Sequence, residues 1–169
     1  MIDGSILKRE KPLNGFFQIA RLYRANKTLT SDKMPKRDRS HPFSILFYDY
    51  HPVNGSFMAS SYDIYGTASL VGVIDGVKIT FDKKYKNPAS NMPPELEELH
   101  FRGGIIAYED RIIMGGDYWS EATSPFKGGY WRVDNFTFPS MFPVKDYTPL
   151  VLPLIDLFEH PERATQTEF

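Results

Sequence analysis

The sequence predicts a mostly β protein, an antiparallel up-and-down barrel of seven to eight strands, and three observations carry that expectation. Between residues 43 and 138, short runs of alternating apolar and polar residues follow one another. Asn54-Gly55, Asp75-Gly76 and Glu109-Asp110 interrupt those runs where two-residue turns would fall. Glycines stand inside or at the ends of the runs, at Gly66, Gly72, Gly103, Gly104, Gly115, Gly116, Gly128 and Gly129, where a curling sheet needs sharp coiling or room for a large neighbour. A meander whose strands pair with their sequence neighbours removes its exposed edges most economically by closing on itself.

Taken in order, the chain divides into three parts of one domain: residues 1–42, 43–138 and 139–169. Leu13, Phe16, Phe17, Ile19, Ala20, Leu22 and Tyr23 recur at three- and four-residue spacing, which predicts an amphipathic helix over 13–25 lying on the barrel or plugging one end. Lys33, Lys36, Arg37 and Arg39 with Pro35 read as an exposed basic linker. The strands follow as Phe43 to Tyr50, Ser56 to Ile64, Tyr65 to Ile74, Val77 to Tyr85, Leu99 to Tyr108, Arg111 to Trp119 and Gly128 to Phe138. In the fourth, Ile79, Phe81 and Tyr85 share one face and Lys78, Thr80, Asp82 and Lys84 the other. Pro139, Pro143, Pro149, Pro153 and Pro161 argue against a long helix in the last part. Its apolar run from Leu150 to Phe158 must still be covered, by the barrel wall or by a partner, with disorder expected from Glu162 onward.

At 169 residues the chain can bury a core without a disulfide, and it has no cysteine. The absence of an apolar leader or spanning stretch points to the cytoplasm, with no membrane partner. The net charge of −1 conceals an asymmetry, because residues 1–41 carry ten basic against four acidic residues and the remainder ten against seventeen. A basic run without a recognition element does not predict nucleic-acid binding. The nucleotide, zinc-protease and hydrolase motifs are missing, and the four histidines are far apart, so neither a cofactor nor a metal is expected.

The segment Gly66 to Gly72, then Lys78-Ile-Thr-Phe-Asp-Lys-Lys-Tyr85, Phe101-Arg-Gly-Gly104, Arg111-Ile112 and Gly116-Asp-Tyr-Trp119, resembles the small calycin-like barrels. Within them it looks most like the avidin group and the avidin-like bacterial and F-box-associated barrels, over about residues 43–138; lipocalins share that architecture. The resemblance implies a barrel enclosing a small-ligand pocket. It places Ser90 at a polar loop contact of that pocket and Asp134 at a buried carboxylate, while Phe81 stands where the family carries a tryptophan. The family's first strand, with its Asn, Ser and Tyr contacts, has no counterpart in Phe43 to Tyr50.

Other candidate residues come from the pattern itself. Asp63 follows the small residues Ala59 and Ser61 on one face, which leaves room for a ligand beside a buried carboxylate, although a structural role at the strand end is the commoner use. Arg102, Asp117, Trp119 and Trp131 are further candidate contacts. Alternation turns Arg102 and His100 outward, whereas a bulge at Gly115-Gly116 could set Asp117 on either face. The reading is a noncatalytic barrel that takes a small molecule or a short peptide end in its mouth, with a homodimer as the default assembly. Two alternatives remain: an interaction or regulatory module acting through its termini, and a cofactor-free lyase or isomerase built on Asp with Arg or Tyr.

Overall fold

Eight antiparallel strands pair in sequence order and close into a barrel. The fold is seen in a computed structural model that describes residues 7, 11–20, 40–92, 96–120, 127–136 and 148–166. The strands are β1 Leu13–Ala20, β2 Ser40–Tyr50, β3 Ser56–Asp63, β4 Gly66–Asp75, β5 Lys78–Tyr85, β6 Glu98–Tyr108, β7 Arg111–Ser120 and β8 Lys127–Asp134. A helix, α1 Thr148–Glu159, and a 3-10 turn, Pro161–Gln166, follow them. The β1 strand closes the ring by pairing with β2 on one side and β8 on the other, for example Phe17 with His41 and with Trp131.

The N-terminal helix expected over 13–25 is therefore corrected: Leu13–Ala20 is a strand, and residues 21–25 lie outside those described. The cause is burial on both faces. Leu13 and Phe17 point into the barrel, while Phe16 points outward and is covered together with Tyr130 by Val151 and Ile155 of α1. A strand covered on both sides loses the two-residue alternation, and its apolar positions then mimic helical spacing.

The C-terminal region also departs from expectation. Thr148–Glu159 is a twelve-residue helix despite Pro149 and Pro153. Pro149 sits in the first turn, where its missing N–H costs nothing, and Pro153 is exposed and removes a single early bond. Burial of Val151, Leu154, Ile155 and Leu157 outweighs that loss. The apolar run is thus covered by the chain's own wall: α1 lies on the outside of β6, β7 and β8. The disorder expected from Glu162 is corrected as well, since the 3-10 turn continues to Gln166 and Arg163 pairs with Asp156 at 2.9 Å. The basic cluster at 33–39, Pro139 and Pro143 lie outside the described residues.

Glycine chemistry explains both the turns and the seat of α1. Gly55 and Gly76 have φ of 76° and 62°, a conformation that closes the β2–β3 and β4–β5 connections and disfavours other residues. On the barrel wall Gly104 faces Gly115 across β6 and β7, both turned toward α1. A methyl group on Gly104 would stand 2.6 Å from the Leu154 carbonyl, so the helix reaches the sheet only because no side chain intervenes. No register shift interrupts β6 and β7 at Gly115-Gly116, whereas β2 shifts register against β3 between Phe47 and Asp49.

The two ends of the barrel differ. Tight turns join β2–β3, β4–β5 and β6–β7 at one end. At the other leave the β3–β4 turn and the longer connections after β1, β5 and β7. Here the β5–β6 connection is pinned to the start of β4 by Lys86 N–H donating to the Thr67 carbonyl at 3.0 Å, and to the β3–β4 turn by Ala89 N–H donating to that of Tyr65 at 2.9 Å. No helix among the described residues is long and apolar enough to cross a membrane.

Candidate functional site

Interior aromatics fill the middle of the barrel. Phe81 and Phe101 stack at 4.7 Å, Phe101 and Tyr118 at 4.9 Å, and Trp131 meets Phe81 edge-on at 5.2 Å. Toward the end with the long connections, the apolar lining gives way to three polar side chains: Asp63 from β3, with Lys83 and Tyr85 from β5. Lys83 occupies an inward position because it lies two residues from both Phe81 and Tyr85. A strand whose outer positions already carry Lys78, Asp82 and Lys84 conceals it within an apparently solvated run, and alternation was the signal that could have found it.

The Lys83 ammonium donates to Asp63 Oδ2 at 2.7 Å, and the Tyr85 hydroxyl donates to the same oxygen at 2.6 Å. The other carboxylate oxygen, Oδ1, accepts the Tyr65 backbone N–H at 2.8 Å, which ties the site to the β3–β4 turn. All three side chains are buried. The Lys83 nitrogen lies 4.6 to 5.8 Å from the ring centres of Phe17, Phe43, Tyr85 and Phe101. Burial pulls the Lys83 amine below the ordinary lysine range, and the Asp63 carboxylate opposes that shift. Burial, reinforced by Asp63, pushes the Tyr85 phenol above its usual range. Ser61, two residues before Asp63 on the same inner face, is 2% exposed, and its hydroxyl has no partner among the described residues.

Of the residues singled out by sequence, Asp63, Phe81 and Trp131 face this interior. The barrel wall separates them from Arg102, Asp117 and Trp119, which sit on its outside. Arg102 forms a two-pronged pair with Asp117, Nε to Oδ1 at 2.9 Å and a terminal nitrogen to Oδ2 at 3.2 Å. Its guanidinium lies 5.4 Å from the Trp119 ring and 5.6 Å from that of Phe158, the latter in α1. A groove of about 420 Å³ opens there, bordered by Val71, Thr80, Arg102, Trp119 and Phe158. Asp134 is also on the outer wall, buried beside α1, where it accepts from Arg132 at 3.3 Å and from the Phe136 backbone N–H at 3.0 Å. Arg132 in turn donates to the Leu150 carbonyl at 3.0 Å, so this pair fastens the helix. Ser90 is exposed in the connection after β5. Among the described residues no cluster of three or more His, Asp or Glu side chains could hold a metal ion.

The buried phenols make the fold sensitive to alkali. Tyr85 and Tyr130 both titrate above the ordinary 10.0 in the folded chain, chiefly through burial. The stability linked to them is therefore fully present below pH 10 and is lost as pH rises beyond it, because only the unfolded chain then ionises. Lys83 acts in the opposite sense, since its lowered folded value costs stability that is regained as pH approaches 10.5. Above pH 10.5 the tyrosines govern, at up to about 1.4 kcal/mol per pH unit for each. A thermal midpoint that falls steeply above pH 10.5, and less steeply in Tyr130→Phe, is the expected result. Tyrosinate absorbance from these residues appearing well before unfolding would contradict it.

Comparison with known proteins finds no matching family model, no similar curated protein and no similar solved structure.

Proposed function

We propose that this chain is a noncatalytic, calycin-like binding barrel that takes a small molecule or a short peptide end at the Lys83 end of its interior. One observation carries the reading: a fully buried ammonium whose only hydrogen-bond acceptor among the described residues is Asp63, with aromatic faces on its other sides. An ion pair kept for stability alone is replaceable by apolar residues at little cost. A lysine whose other N–H groups meet aromatic faces and no acceptor among the described residues instead matches the few placed polar groups of a ligand site.

A cofactor-free lyase or isomerase is the second reading, favoured by Lys83 and Tyr85 sharing one oxygen of Asp63. It predicts that Tyr85→Phe removes turnover while sparing affinity.

The test of the binding reading uses tryptophan emission. The chain has two tryptophans, so Trp119→Phe leaves the interior Trp131 as sole reporter. A saturable change in its emission with flat apolar compounds is expected, together with a mass excess in native spectra of the protein from cells that denaturation removes. A bare mass combined with an unresponsive Trp131 would sink the proposal.

A further inference from the structure

Resting on that reading, we infer that the ligand is an uncharged, planar molecule which presents a carbonyl-type acceptor to Lys83. Charge balance is the first argument. Lys83 and Asp63 neutralise each other at 2.7 Å with 1% and 0% side-chain exposure. A ligand carboxylate would add a second anion to one cation, and a ligand ammonium a second cation to one anion. Either leaves an unpaired charge in an apolar interior, which is costly to bury.

The count of donors and acceptors selects among neutral ligands. Asp63 already receives Lys83, Tyr85 and the Tyr65 N–H, three donors for about four lone-pair sites. Lys83 carries three protons and has one acceptor among the described residues. Ser61 adds a buried hydroxyl with no partner there. The ammonium therefore has donors to spare, which a ligand completes by bringing an acceptor, while the Ser61 hydroxyl can donate to that acceptor or accept in its turn. The faces of Phe17, Phe43 and Phe101 around the ammonium favour a flat body behind that acceptor.

The experiment is calorimetric titration of the full chain with matched sets on phenyl, naphthyl and anthracenyl rings. Each set contains a primary amide, a carboxylate, a methylamine and the methyl hydrocarbon. The amide of the best-fitting ring is expected to bind at least about tenfold more tightly than its three relatives, equivalent to about 1.4 kcal/mol. Lys83→Met should bring the amide down to the hydrocarbon. Asp63→Asn, which leaves the lysine without its carboxylate, should turn the preference toward the ligand carboxylate. If Asp63→Asn folds too weakly to titrate, the Lys83→Met comparison decides alone. A carboxylate or amine that equals the amide on the unaltered chain overturns the inference and leaves the binding reading standing, as does an amide preference that survives Lys83→Met. Absence of binding by every member on every ring overturns both.

Discussion

Replacing Asp63 with Asn is expected to cost about 3–5 kcal/mol of folding stability, while Lys83→Met costs about 1–3 kcal/mol. The asymmetry follows from what each change leaves behind. Without the Asp63 carboxylate, Lys83 holds a buried ammonium against rings alone among the described residues. Without Lys83, the carboxylate keeps the Tyr85 hydroxyl and the Tyr65 N–H. Asn retains an oxygen for that N–H, so the loss does not come from opening the β3–β4 turn. The double variant should cost less than the two single losses added together, because the groups are in direct contact. Urea unfolding of the four proteins measures this, and an Asp63→Asn protein within 1 kcal/mol of the parent would refute it.

Removal of α1 should have an effect of similar size and a different character. Ending the chain at residue 147 uncovers Phe16 and Tyr130 on the outer wall and takes the Leu150 carbonyl from Arg132. The newly bared Phe16 and Tyr130 form an apolar patch on the sheet, so self-association on a sizing column is expected along with a large fall in the thermal midpoint. Within the intact chain, Leu154→Ala should cost about 2–5 kcal/mol through the cavity it leaves. Gly104→Val should cost about 1–3 kcal/mol by pushing the helix outward, since the new side chain meets the Leu154 backbone rather than a side-chain tip that can turn away. A monomeric truncated protein with an unchanged midpoint would show that α1 is ornamental.

The interior ion pair and the C-terminal helix were unequally legible in the sequence. The strands from β2 to β5 could be read from their period-two alternation and from Asn54-Gly55 and Asp75-Gly76 in two of the connections, and those from β6 to β8 from their glycines and the Glu109-Asp110 turn, all local properties of the chain. The apolar demand of Leu150 to Phe158 could be read too, though its helical form could not, because two prolines argued against a helix that tertiary burial stabilises. In β1 the local pattern pointed the wrong way. Phe16 and Phe17 are neighbours in sequence and lie on opposite faces of the wall, and only the placement of α1 makes both of them buried.

The candidate site divides in the same manner. Asp63 stood out as a carboxylate among small residues, and Phe81 and Trp131 as interior aromatics. The partnership of Asp63 with Lys83 and Tyr85 spans 20 and 22 residues and exists only once β3, β4 and β5 are adjacent in the sheet. Arg102 and Asp117 likewise met as a cross-strand pair, on the outer wall, where Arg102 borders the groove beside Phe158 of α1. By itself the sequence determined the order of the strands from β2 to β8, most of their turns and the need to cover an apolar tail, since alternation, turn chemistry and hydrophobicity act over a few residues. Tertiary structure alone decided which strand closes the ring and which charged groups share the interior, because those depend on two-sided burial and on contacts between strands distant in the chain.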